Sequence, residues 1–130
     1  MATKTAAYVR DAALDAAIAP LFSGGELRIY SGVQPATPSD APTGKLLAAL
    51  GFDTPAFNPA RDGVIVSQPL QSAEAIASGF ASWCRCVDVD GEPLIDGDVR
   101  NSGAFLNLSS LEIDAGSRIF CESVTLTLPQ

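Results

Sequence analysis

The chain has 130 residues, 47% of them hydrophobic and 18% charged, and its eight basic and fifteen acidic side chains give a formal net charge of −7. That length fits one domain whose core needs no metal or disulfide staple, and the composition is globular rather than disordered. Acidity with scattered basic residues argues against nucleic-acid binding, and the lack of histidine removes the commonest general base, the commonest metal ligand and any Ser-His-Asp or Cys-His system within one chain.

The N-terminus, MATKTAAYVRDAALDAA, carries Arg10, Asp11 and Asp15 where the apolar stretch of a signal peptide would lie. No apolar run approaches the roughly 18 residues of a membrane span. A reducing cytosol is therefore the expected site of maturation, and an odd count of three cysteines agrees with free thiols. Residues 1 to about 9 read as a tail or arm. Residues 11–22, DAALDAAIAPLF, read as a short helix that Asp11 caps, with Leu14, Ile18, Leu21 and Phe22 on one stripe. Pro20 disrupts its last turn and Gly24-Gly25 stop it. Residues 1–24 thus form an arm and helix, and 25–130 the main domain.

From residue 27 the hydrophobic period shortens to two. Strands are predicted at 27–30, 45–52, 63–68, 73–78, 80–89, 94–99, 104–108, 111–113 and 118–128, the sixth broken near Gly97. The segment 31–44, with Pro35, Pro38 and Pro42, is a stiff loop, and 54–62 is another. Asp90-Gly91 is a turn signal. In the last strand Val124, Leu126 and Leu128 point inward. Short strands at this spacing predict a mainly β chain, an antiparallel sandwich of jelly-roll type or a barrel.

The stretch 81–91, ASWCRCVDVDG, looks most like chemistry. In a strand, Phe80, Ser82, Cys84 and Cys86 share one face, and Trp83, Arg85, Val87 and Val89 share the other. Cys84 and Cys86 then point the same way with Cα atoms about 6.5 Å apart, which is wrong for a mutual disulfide. Zinc asks for about four ligands at other spacings. The three cysteines read as small buried hydrophobes, with a disulfide from Cys121 to Cys84 or Cys86 as the alternative. The Trp83 face reads either as a covered central strand with Arg85 reaching outward or as a contact across an interface.

Asp88, Asp90, Glu92, Asp96 and Asp98 crowd eleven residues. They read as solvated turns or, alternatively, as a weak cation site that lacks EF-hand spacing. No carboxylate pair stands out for glycosidase work, and no glycine spacing suits a phosphate. The residues point to no catalytic, cofactor or metal site, and an enzyme is not expected.

Four stretches taken in order resemble a group of small structural proteins from tailed bacteriophages and prophages. They are LRIYSGVQPATPSDAPTGKLLAAL (27–50), DTPAF (53–57), ASGFASWCRCVDVDGEPLIDG (77–97) and LNLSSLEIDAGSRIFCESVTLTLP (106–129). In that group an I-Y-x-G-x-Q-P-A turn leads to a T-G-x-L-L-A strand, a W-F-R-x-x-D-x-D-G hairpin and an L-N-L-x-S-x-x-I-x-x-G ending. The likeness runs over about residues 25 to 129. This chain departs at Cys84 and Cys86, where larger apolar residues are usual, and at Arg118-Ile119-Phe120, where smaller ones are. The resemblance implies a virion component made in the host bacterial cytoplasm. It implies a capsid decoration or cement protein on the outer surface of the head, with a tail or head-tail adhesion module as the alternative. The implied partners are the major capsid protein and further copies of the chain, as a trimer or dimer, with no nucleic acid or membrane. The candidate interface residues are Trp83, Arg85, Tyr30, Pro35, Pro38, Tyr8, Leu14 and Ile18.

Overall fold

A computed structural model describes residues 6–127 and shows a mainly β chain led by a short helix. The helical stretch has three consecutive parts: α1 (Ala7–Ala13), a π-helical turn (Leu14–Ile18) and α2 (Ala19–Phe22). It starts four residues earlier than expected, so Ala7 to Arg10 belong to the helix and not to an arm. Residues 1–5 of the expected arm lie outside the described residues. Asp11 does not cap this helix, whose N-cap is Ala6 with no side-chain bond. Pro20 explains the π turn: it has no N–H to donate one turn back, and the widened turn just before it bonds Ala19 N–H to the Leu14 carbonyl instead. The extra residue per turn shifts the apolar stripe. Leu14 and Phe22 stay buried, Ile18 is half-buried, and Leu21 turns out to solvent.

The strands are β1 (Glu26–Tyr30), β2 (Leu46–Gly51), β3 (Val64–Val66), β4 (Ala73–Glu74), β5 (Gly79–Phe80), β6 (Trp83–Val87), β7 (Pro93–Arg100), β8 (Leu106–Asn107), β9 (Glu112–Ile113), β10 (Arg118–Ile119) and β11 (Thr125–Thr127). Five make one sheet in the order β2-β1-β6-β7-β8, antiparallel except for the β7/β8 pair. The expected strand 80–89 is shorter. At Ala81–Ser82 the chain changes neighbours: Ala81 N–H bonds Leu111 O and Ser82 N–H bonds Tyr30 O. Phe80 therefore leaves the Cys84 face and is exposed. The longest strand is β7, which runs through Gly97 unbroken because the Phe105 ring packs where a β-carbon would sit.

Alongside this sheet runs one long antiparallel ribbon. β3 pairs with β11, and β4 with β10. Between them Ser67 N–H bonds Val124 O and Leu70 N–H bonds Cys121 O. The expected single strand 118–128 is thus two, and the gap faces Pro69, which has no N–H for a ladder. Val124 is buried and Leu126 half-buried, as the alternation predicts, while Leu128 lies outside the described residues. The ribbon meets the edge of the large sheet through Gln71 N–H to Gly51 O and Ile76 N–H to Leu47 O.

The core lies where the sheet, the ribbon and the helix meet. Directly opposed residues in antiparallel strands share a face, so Leu27, Ile29, Ala48, Leu50, Cys84 and Cys86 form the inner face of the sheet. They join Ile65, Leu70, Cys121 and Val124 of the ribbon in one apolar cluster. The helix belongs to that cluster through Leu14 and Phe22, and the Phe22 ring meets Phe52 and Phe57 edge-on at 5.6 and 5.1 Å. Asp11 accepts from Gly63 N–H at 2.6 Å and Asp62 N–H at 3.2 Å, and Asp15 from Ala60 N–H at 2.8 Å. Gly63 has φ +77, where a side chain is strained, and a β-carbon there would also push the Arg10 guanidinium aside, so the loop favours glycine at this point. Residues 7–22 are stitched into the β body and share its core.

Candidate functional site

Three of the candidate interface residues meet on the outer face of the sheet. Tyr30 stacks on Trp83 with ring centroids 4.5 Å apart and planes 13° from parallel. The Arg85 guanidinium stands 5.3 Å from the Trp83 ring and forms two bonds to Asp96, Nε–Oδ1 at 2.7 Å and Nη2–Oδ2 at 3.0 Å. Strand pairing builds this column, because Tyr30 lies opposite Trp83 and Arg85 opposite Asp96. The 31–44 loop closes against it. Trp83 Nε1–H donates to Ser31 O at 3.1 Å, and the Ser82 hydroxyl to Gly32 O. Ser31 and Lys45 exchange bonds at the loop neck, and the Thr43 hydroxyl donates to Val33 O.

The reading in which Arg85 reaches out to solvent is corrected. Its side chain is 6% exposed and that of Asp96 3%. The Asp96 carboxylate raises the Arg85 pKa further above its ordinary value, with the charge of Asp40 in the loop adding to the effect. Trp83, Tyr30 and Arg85 are buried by their own chain, so no partner is needed to cover them. The sequence signals did not single out Asp96 as the partner, because a register shift between the Val87/Pro93 and Cys86/Ile95 pairs is what brings it opposite Arg85.

The other candidates scatter. Leu14 is wholly buried in the core, Ile18 is half-buried, and Tyr8 is 82% exposed at the start of α1. Pro35 and Pro38 are half-buried in the loop, whose Val33 is 79% exposed. A groove of about 480 Å³ runs between the helix and residues 54–59, lined by Ala19, Pro20, Pro55, Phe57 and Pro59 among others.

All three cysteines are free and buried. Burial pushes the Cys121 thiol up to about 11 and those of Cys84 and Cys86 well above their ordinary value of 9.0. These are packed thiols without thiolate character. The carboxylate run is dispersed by its turn. Asp88 Oδ1 accepts from Asp90 and Glu92 N–H, Asp96 binds Arg85, and Asp98 accepts from Phe105 N–H. Among the described residues no group of three or more Cys, Asp or Glu side chains is placed to hold a metal ion. No described helix is long and apolar enough to cross a membrane.

Periodicity missed two exposed aromatic side chains. Phe80 and Phe120 flank β9, and each lines a groove that also contains Glu112, Ile113 and Asp114. Only the breaks at Ala81 and Pro69 reveal them, and neither break is visible as a change of period.

Comparison with protein-family models, with curated proteins and with solved structures returned no match.

Proposed function

We propose that this chain is a virion structural protein acting by adhesion, a capsid decoration or cement protein that binds the outer surface of a phage head. The likeness of residues 27–50, 77–97 and 106–129 to phage structural proteins supports the phage setting. One structural observation carries the adhesive part: large apolar side chains stand exposed on a fastened frame. Val33 projects from a loop tied at its neck, Phe80 from a paired strand, and Phe120 from the residue that follows β10. Exposed apolar groups held rigid lose little entropy on docking. The buried polar groups serve the fold, since Arg85 and Asp96 neutralise each other and the thiols are packed. No catalytic role is proposed. The ribbon against the inner face of the sheet supports reading the body as an antiparallel sandwich of jelly-roll type.

Its partners on this reading are the major capsid protein and further copies of the chain, in a trimer or dimer suited to capsid symmetry axes. The test mixes purified protein with heads and with tails that lack it, then counts bound copies and measures the temperature at which heads release DNA. Saturable binding to heads with a raised release temperature is expected. Binding to tails alone would favour a tail or head-tail module, and binding to neither ends the proposal.

A further inference from the structure

We propose that the surface bearing Phe80 and Phe120 is the docking face for a protein partner whose contact surface is basic; the proposal rests on the adhesive reading above. The two rings are 59% and 69% exposed. Grooves of about 360 and 280 Å³ lie beside them and share the residues of β9 and Asp114. The frame beneath is fastened on both sides. Phe80 pairs with Glu112 and Gly79 with Ile113, Ala115 N–H bonds the Ser78 hydroxyl, and the Ser117 hydroxyl bonds Asp114 O. Two aromatic side chains with a charged rim are the pattern of a binding hot spot.

Charge selects the occupant. Glu112 and Asp114 are exposed on the ridge between the grooves; Arg118, which lines the groove beside Phe120, is bonded to the Ser72 hydroxyl at 3.0 Å with Glu74 at 3.9 Å, and the exposed Lys45 reaches the backbone of Gly79 without lining either groove. The charged side chains common to both grooves are both acidic, on a chain of net charge −7. A second copy meeting this face with the same face would set Glu112 and Asp114 against like charges and be repelled there, as would a phosphate backbone or an anionic lipid. A basic protein surface with pockets for two rings is attracted by the charge and held by the aromatics.

Two double variants test this, Phe80→Ala with Phe120→Ala and Glu112→Lys with Asp114→Lys. All four side chains are exposed, and folding is checked by the urea midpoint. The probe is undecorated phage heads at low and at raised salt. The aromatic variant is expected to weaken binding at least about tenfold at both salts. The charge-reversed variant should weaken it about tenfold at low salt, with the difference shrinking as salt rises. If wild-type protein decorates heads and both variants bind equally well, the docking face lies elsewhere and the adhesive reading stands. If wild-type protein binds neither heads nor tails, both fall. Sedimentation showing an oligomer that the aromatic variant dissolves would make the occupant a second copy and overturn the proposal.

Discussion

Replacing Asp96 with alanine would leave a guanidinium buried without its counter-ion. Arg85 and Asp96 are joined by two bonds of 2.7 and 3.0 Å, with 6% and 3% of their side chains exposed, so water cannot take the place of the lost carboxylate. Removing one member of such a pair costs about 3–5 kcal/mol. The register adds to this, because Arg28 lies directly opposite Arg85. Like charges so placed repel by roughly 0.2–1 kcal/mol, at the low end here because Arg28 is partly solvated and bonded to Glu26 at 3.1 Å. Replacing both partners with apolar residues (Arg85→Met with Asp96→Leu) removes the charge problem altogether and should be near neutral or stabilising. Urea unfolding followed by the fluorescence of Trp83, the chain's one tryptophan, reads both variants. A loss below about 1 kcal/mol for Asp96→Ala, the range of surface pairs, would mean the pair is solvated and the column open. A double variant as unstable as the single would mean that Arg85 acts by packing and not by charge.

Asp11→Ala should lower stability by about 1–3 kcal/mol, because Gly63 and Asp62 lose their charged acceptor; an unchanged melting temperature would refute the clamp. Gly97→Ala should cost about 1–3 kcal/mol through collision with the Phe105 ring, and adding Phe105→Ala should recover part of it if the ring is the obstacle. For the thiols the direction follows from linkage. Cys121 keeps its proton up to about 11 when folded and only to its ordinary 9.0 when unfolded, so its contribution is complete below pH 9 and is lost as pH rises from 9 toward 11. Cys121→Ala should flatten that decline in the urea midpoint, and an unaltered slope would show the thiol to be open to solvent.

Much of the fold was legible in the residues. β1, β2 and the Cys84/Cys86 face follow from alternation, because the β1/β6 ladder is regular and the β1/β2 and β6/β7 ladders slip only near their ends, at Tyr30 and at Val87. The errors fall where ladders end. Ala81–Ser82 changes partner and Pro69 lacks a donor, and both events depend on strands distant in sequence. The helix shows the same limit, since Asp11 sits where a cap belongs yet serves a loop some fifty residues on. The shared face of Trp83 and Arg85 was visible, but the stacking of Tyr30 on it and its burial were not, because the β1/β6 register, Asp96 and the proline loop build them through tertiary pairing. The exposed rings at Phe80 and Phe120 read as ordinary strand residues until the breaks beside them are known.

The ribbon also has consequences for synthesis. Val64–Val66 must wait for Thr125–Thr127, about sixty residues further along, before either can be paired. A nascent chain emerging from the ribosome therefore exposes Ile65 and Leu70 until residues 121–127 have been made. Folding should be slow and close to all-or-none, and premature termination before residue 117 should leave a sticky fragment that proteases clear.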